Sequence, residues 1–357
     1  MKIAYVMFSL GEQLGIFNKI NDYARMANER NLDVDFFWFP TEAIAKKYSS
    51  LTFTDNFFIQ GVTGNFFAKR LQQKKLLDEI SSDYDAIIIR YPLFDPILYF
   101  AKRQNKFIFE HHTIETDELK LKKDPRLVTE LLFAKLWFKK VKGYIGVTNQ
   151  ILEHHSLKYP TLTWNYVMPN SIDFRRNNFE VDNEFDPNNE VRVIFAANFR
   201  PWHGIERISD IIEVLKEKYS RYKVYIAGTG LSNQQLTDLD GLNNVEFVGS
   251  LSSEELSDLM DSCHFGIDSL NVDCKGLDET CSLKVRSYLS HGLMVISATN
   301  DSALSSSFRY YLNINNAPLS DWLDSVVGVS KNTVRLTSQP FVDSGECWLK
   351  LVKSLKE

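Results

Sequence analysis

The stretch VIFAANFRPWHGIERISDII, residues 193–212, passes from an apolar run through a polar break into helically spaced apolar residues. Val193 to Ala197 read as a strand, and Ile205, Ile208, Ile211 and Ile212 fall on one face of a helix. Between them lie Asn198, Arg200, Trp202, His203 and Gly204. A strand that feeds a helix through a polar, glycine-bearing loop is the repeating unit of a parallel sheet, and such loops commonly hold ligands.

The same alternation extends in both directions. Toward the C-terminus come KVYIAGTG and NVEFVG as strands, then SSEELSDLMDSC as a helix opened by Ser252 and Glu255, a capping-box pair. FGIDSL, the helix SLKVRSYLSHG and the strand LMVISA follow. In the first half KIAYVMF, DVDFFWFP, YDAIIIRYP, KFIFEHH and GYIGVT read as strands, with helices at 16–31, 66–82 and near 125–142. The expected fold is α/β: two doubly wound, Rossmann-like domains whose parallel sheets face each other across a cleft. The polar run PNSIDFRRNNFEVDNEFDP suggests a linker over 171–188, between domains at 1–170 and 189–357. A last helix at about 342–357 is expected to cross back to the first domain. Ligands of such sheets bind at the carboxyl ends of the strands.

The chain of 357 residues is long enough for two cores, since single cores rarely exceed about 250–300 residues. With 44% hydrophobic and 24% charged residues it reads as soluble and globular. The N-terminal apolar run is too short for a signal peptide, and no window approaches the roughly 18 apolar residues of a spanning helix. Cys263, Cys274, Cys281 and Cys347 show neither metal-ligand spacing nor a disulfide framework. The expected location is therefore the cytoplasm. The net charge of -5 conceals an asymmetry: residues 1–180 hold 25 Lys/Arg against 21 Asp/Glu, and the remainder 16 against 25. A basic first half suits an anionic partner.

Four loops follow predicted strands. In SLGEQLGIF, Gly11 and Gly15 open a helix, where amides suit phosphate or sugar oxygens; a plain turn explains them equally well. In FEHHTIETDE, His111 and His112 end a strand beside Glu110 and Glu115. His154 and His155 raise the question of a metal, but adjacent strand residues point to opposite faces, so none is expected. In the opening stretch, Arg200 and His203 stand beside Gly204 at a helix start. In DETCSLKVRSYLSHG, Glu279 precedes a helix expected to begin near Thr280, Cys281 and Ser282, with Lys284 and Arg286 in its next turn. Cations at a helix start oppose the dipole unless an anion binds there. DYD at 83–85 resembles a metal-binding D-x-D but opens a strand at the wrong end of the sheet, so it reads as a turn.

These motifs, with VMPNSID, YIAGTG and NVEFVGSLSSEELSDLM, stand in the order that resembles the retaining glycosyltransferases of family 4, which have the GT-B fold, along nearly the whole chain. The resemblance is to a subset that builds bacterial surface polysaccharide. It implies a metal-independent, retaining transfer from a nucleoside-diphosphate sugar as co-substrate, with no other cofactor. By it, Glu279 matches the first Glu of an E-x7-E motif and touches donor-sugar hydroxyls, and His112 lies near the reacting sugar. Thr280, Cys281, Ser282 and Leu283 supply amides. Gly15, Asn198, Arg200, His203, Gly204, Gly228, Lys284 and Ser287 complete the donor side, and His111 and Glu115 the acceptor side. Three departures stand out: Ser287 replaces the second Glu, Asn198 and His203 occupy positions usually held by Arg and Lys, and PNS replaces PNG. Arg200, Lys284 and Arg286 are the substitutes expected for the missing diphosphate cations.

The expected acceptor is a saccharide, lipid-linked, met at the inner face of the plasma membrane. FFAKRLQQKKLL and LLFAKLWFKKVKGY are basic, aromatic-bearing helices suited to anionic lipid, though solvated lysines explain them as well. No nucleic-acid partner is expected. The alternatives are a non-catalytic nucleotide-sugar or glycan-binding subunit, favoured by Ser287, and a sugar-nucleotide epimerase.

Overall fold

In the computed structural model the chain forms two α/β units, residues 1–173 with 344–357, and residues 174–343. The structure describes residues 1–11, 14–51, 54–160, 162, 164–174, 183–305 and 307–357.

The first unit is a parallel sheet in the order β3-β2-β1-β4-β5-β6-β7. Its strands are β1 (Ile3–Met7), β2 (Val34–Trp38), β3 (Phe57–Ile59), β4 (Ala86–Arg90), β5 (Phe107–His111), β6 (Gly143–Gly146) and β7 (Trp164–Val167). The helices are α1 (Leu14–Glu29), α2 (Glu42–Ser49), α3 (Phe66–Asp83), α4 (Glu115–Leu121), α5 (Arg126–Phe138) and α6 (Asn149–Lys158). β1 and β4 are near-continuous Ala, Ile, Val, Tyr and Met because both faces of the sheet are covered. One face holds Tyr5, Phe36 and Ile108; the other holds Val6, Phe107 and Phe109. Side chains of β5 thus alternate between two cores. In DYD, Asp85 accepts from the Lys2 amide and the Tyr84 hydroxyl donates to Asp35 at 2.5 Å, so the motif is a turn anchor.

The second unit has a sheet in the order β10-β9-β8-β11-β13-β15 and a small ribbon, β12-β14. The strands are β8 (Val191–Asn198), β9 (Tyr222–Thr229), β10 (Val245–Gly249), β11 (Phe265–Ile267), β12 (Glu279–Thr280), β13 (Met294–Ser297), β14 (Asn300–Asp301) and β15 (Tyr311–Asn313). The helices are α7 (Ile208–Lys218), α8 (Asn233–Asp240), α9 (Ser253–Ser262), α10 (Leu283–Ser290), α11 (Leu319–Ser325) and α12 (Lys331–Val342). The capping box of α9 is present: Ser252 Oγ accepts from the Glu255 amide at 3.2 Å and Glu255 Oε2 from the Ser252 amide at 2.8 Å. α13 (Ser344–Lys356) belongs to the first unit, where Trp348 is buried edge-on against Tyr5, Tyr23 and Phe36.

Of the expected linker, 175–182 lie outside the described residues. Ser171 is buried in the first unit, and Phe185 is buried in the second with its N–H bonded to the Val329 carbonyl at 2.9 Å.

Candidate active site

In the first unit, three separate motifs meet at the carboxyl end of β5. Glu110 is only 2% exposed and accepts from the Tyr5 hydroxyl. Lys19 of α1 brings Nζ to 3.4 Å from Glu110 and donates to Asn170 Oδ1 at 2.8 Å. His112 Nε2 stands 2.8 Å from Glu110 Oε2. The glycine loop with its helix, EHH and PNS are thereby joined. Burial alone would raise Glu110, but His112 and Lys19 outweigh it and hold the carboxylate well below its usual range. Burial, reinforced by Arg90, drives His112 down to about 3, so its ring is neutral at pH 7. A neutral imidazole protonated on Nε2, toward the carboxylate, would leave Nδ1 as an acceptor. A Cβ at Gly15, in the first turn of α1, would meet nothing within 4 Å, so packing does not account for that glycine.

His111 requires a correction. It is 0% exposed and turns to the opposite core, stacked on Phe138 and tilted against Tyr91, so it has no surface to offer an acceptor. Strand alternation is the reason. Glu115 turns the same way: His111 Nδ1 lies 2.8 Å from its Oε1, and His155 Nε2 3.4 Å from its Oε2. Burial works against its ionisation, but His111 and His155 hold it well below the usual carboxylate range. Burial and His111 lower His155 to about 4. These three side chains bring ligand atoms within 4.8 Å of one another, a metal-ligand set taken one residue from each His pair. The two rings, however, lie tilted by 33° with centroids 3.9 Å apart, whereas imidazoles tetrahedrally bound to one zinc ion at 2.0–2.1 Å would stand roughly 5 Å apart. The arrangement is that of a buried carboxylate shared by two imidazoles.

In the second unit, the loop after β8 is a tight turn. The Arg200 amide donates to His203 Nδ1 at 2.9 Å, and Leu270 N–H donates to the His203 carbonyl at 3.0 Å. Gly204 has φ +63, and a Cβ there would come within 2.9 Å of Asn271. Gly228 has φ +128, and a Cβ would overlap the Ala197 carbonyl at 1.8 Å. Backbone packing thus accounts for both glycines. Asn198 and Arg200 are exposed. Asn198 Oδ1 accepts from Thr229 Oγ1 at 3.4 Å, across the ends of β8 and β9.

Asp268, directly after β11, organises the segment that follows Glu279. It is fully buried and accepts from Ser282 Oγ at 2.8 Å, Ser297 Oγ at 3.3 Å and Thr280 Oγ1 at 3.5 Å. Lys284 Nζ lies 3.4 Å from Asp268 Oδ1, and burial lowers its pKa. The helix begins later than expected: Glu279 and Thr280 pair as strand β12 with β14, Ser282 is the cap, and Leu283 is the first helical residue. Ser282 Oγ takes the Val285 amide at 3.3 Å. Arg286 is not a diphosphate cation. It is fully buried, 2.7 Å from Asp301 Oδ1 and 2.8 Å from Cys281 Sγ, and so pins the Glu279–Ser282 segment to β14. Ser287 donates back to the Leu283 carbonyl at 3.2 Å.

Three residues that organise these sites, Lys19, Asn170 and Asp268, were not singled out from sequence. Asp268 closes the apolar run FGID, and Asn170 lies in VMPNSID, so each had a local signal. Lys19 had none.

By sequence, no family model and no curated protein matches the chain. By structure, it is similar to HepE of Anabaena, solved with UDP-glucose: TM-score 0.66, 14% identity, covering 100% of this chain and 99% of that one. It is similar to the lipopolysaccharide outer core galactosyltransferase WaaB, with TM-score 0.62, 12% identity and coverage of 99% and 100%. An α-glucosyltransferase solved with UDP and DNA aligns over 100% of both chains, with TM-score 0.62 and 10% identity. The two parallel sheets and these likenesses define the fold as that of the GT-B glycosyltransferases.

Proposed function

We propose that the chain is a retaining, metal-independent glycosyltransferase that moves a sugar from a nucleoside-diphosphate sugar to a saccharide. The observation that supports it most is the Asp268 arrangement. A buried carboxylate draws in the hydroxyls of Thr280, Ser282 and Ser297 and the Lys284 ammonium, and so fixes the Glu279–Ser282 backbone before α10. Helix N-terminal amides in that position suit the diphosphate of a leaving group. Glu279 is the acceptor for sugar hydroxyls, and exposed Arg200 supplies positive charge. Two similar structures were solved with UDP or UDP-glucose, which makes UDP the first nucleotide to test.

In the proposed reaction the bond from the sugar's anomeric carbon to the phosphate oxygen breaks. The acceptor oxygen bonds to that carbon from the same face, and the acceptor's proton passes to a phosphate oxygen of the leaving group. Negative charge grows on the diphosphate, which fixed amides stabilise; loss of one such donor typically costs about 10²–10³ in rate. Neutral His112 accepts a hydroxyl proton by hydrogen bond near the reacting sugar, held there by Glu110. Gly15 leaves room at the start of α1 for a ligand's close approach.

The proposed acceptor is a lipid-linked saccharide of capsule, O-antigen or exopolysaccharide synthesis, met at the cytoplasmic face of the membrane. DNA, present in three of the similar structures, is disfavoured by the net charge of -5. The non-catalytic reading retains one specific observation, the Ser287 hydroxyl turned back onto its own helix.

A thermal-shift panel of UDP, GDP, dTDP, CDP and ADP, free and sugar-linked, tests the proposal. Ligand at 100 times its dissociation constant stabilises a fold by about 2.7 kcal/mol. One base with a clear shift, followed by transfer with retained anomeric configuration, is the expected result. A shift without transfer to any acceptor points to the binding subunit, and epimerised donor in the absence of acceptor to the epimerase.

A further inference from the structure

We infer that the outer face of α5, continued by the 94–100 segment and the start of α3, is an anionic-membrane docking surface; this deepens the reading of a lipid-linked acceptor and rests on it. α5 is apolar on two sides. Ala134, Trp137 and Phe138 are buried in the first unit, whereas Val128, Leu131, Leu132 and Leu136 are 45% to 63% exposed. Their spacing of three, one and four residues keeps them on one helical face. A solvent-facing helix surface is ordinarily polar, and here the outer stripe is the more aliphatic one.

The stripe does not stand alone. Phe133 of α5 packs against Phe94 at 5.4 Å between ring centres, and Phe94 against Tyr99 at 5.7 Å. Tyr99 meets Phe100, which is 69% exposed. Arg70 of α3 bonds Asp95 at 3.0 Å and lies over the ring of Phe66, which is exposed together with Phe67. These contacts link the three apolar patches within one unit.

Charge selects the occupant. Residues 119–142 hold eight Lys/Arg against two Asp/Glu, and one of those acids, Glu130, is buried. Lys135 on α5 and Lys139 and Lys140 just past its C-terminus are exposed, and Lys102 and Arg103 border Phe100. Lys140 lies 3.5 Å above the Tyr99 ring, tying the basic and aromatic parts together. Exposed aliphatic and aromatic side chains ringed by lysines fit the headgroup level of an anionic bilayer. A second copy docking isologously would bring the same cations against each other. Among the described residues no helix is long and apolar enough to cross a membrane, so α5 would lie in the interface plane.

The test is flotation of the full chain with vesicles of phosphatidylcholine alone and with about 30% phosphatidylglycerol, at low and high salt. Binding to the anionic vesicles only, weakened by salt, is expected. The double variant Leu131→Glu, Leu132→Glu is expected to lower vesicle partition at least about tenfold, and Lys135→Glu with Lys139→Glu and Lys140→Glu to do the same. All these positions are exposed, so thermal stability and any nucleotide-induced shift are expected to match wild type. No flotation of wild type, or wild-type flotation by the leucine variant, overturns the surface. A dimer in light scattering that the leucine variant dissolves, without vesicle binding, overturns it in favour of a second copy. A nucleotide shift that survives any of these leaves the transferase reading intact.

Discussion

Glu110 and Asp268 are both buried carboxylates at the carboxyl end of an inner strand, one in each unit, yet they are neutralised differently. Glu110 has a fully buried lysine, Lys19 of α1, at 3.4 Å, the neutral ring of His112 at 2.8 Å and the Tyr5 hydroxyl as donor. Asp268 is met chiefly by hydroxyls, from Thr280, Ser282 and Ser297, with Lys284 at 3.4 Å. Loss of Glu110 would leave Lys19, whose side chain is 1% exposed against 16% for Lys284, as a buried charge. A carboxylate bound by hydroxyls loses hydrogen bonds one at a time. The first therefore serves as a keystone of its unit, and the second as a template that shapes a loop.

The largest effect expected on this comparison is at Glu110. Glu110→Gln leaves Lys19 buried without its counter-charge and is expected to destabilise the first unit by about 3–5 kcal/mol, read from urea unfolding. A loss near that at Asp268→Asn would erase the distinction.

Acid comes next. Burial pushes His112, His155 and His264, the residue just before β11, down to about 3, 4 and 4, below the ordinary 6.5. Each binds its proton more readily when unfolded, so its contribution is complete above about pH 6.5 and is lost as pH falls toward the folded value. Stability is expected to be flat from pH 7 to 8 with respect to these groups, then to fall below 6.5 by about 1.4 kcal/mol per pH unit for each proton taken up. Histidine-to-glutamine exchange at 155 should make that fall shallower; an unchanged slope would remove His155 from the account.

Asp268→Asn is expected to cost about 1–3 kcal/mol in stability and to lower nucleotide affinity about tenfold, since the loop it shapes loses its anchor. Calorimetric titration with UDP separates the two effects. Ser287→Glu places a carboxylate where the glycosyltransferases that the sequence resembles carry their second Glu. It is expected to raise nucleotide affinity about tenfold by a charge-assisted bond to ribose, and a fall in affinity would speak for a nucleotide held elsewhere. The smallest effect is at Gly15. Alanine there is expected to stabilise α1 by about 0.5–1 kcal/mol, there being open space around it, while weakening ligand binding if backbone approach is what the glycine serves.

The strand ends that carry the candidate residues were legible because they depend on local pattern. The strand endings at His111 and Asn198 follow from apolar runs that stop. What escaped was short or distant. β12 and β14 are two residues each and exist only by pairing with one another, so no periodicity announces them. Their pairing delays α10 to Leu283 and turns Arg286 inward to Asp301. Lys19 meets Glu110 across 91 residues and Asn170 across 151, separations at which sequence spacing carries no information.

The sequence by itself determined the alternation of strand and helix, the likeness of the two halves, and that His111 and His112 must point to opposite faces, since these follow from periods of 2 and 3.6 along one chain. Only the tertiary structure decided which His meets Glu110, that Arg286 is internal, that Asp268 orders the loop before α10, and that α5 keeps a second apolar face outward. Those depend on which surfaces end up against one another, and a one-dimensional pattern records that a face is apolar but not what covers it.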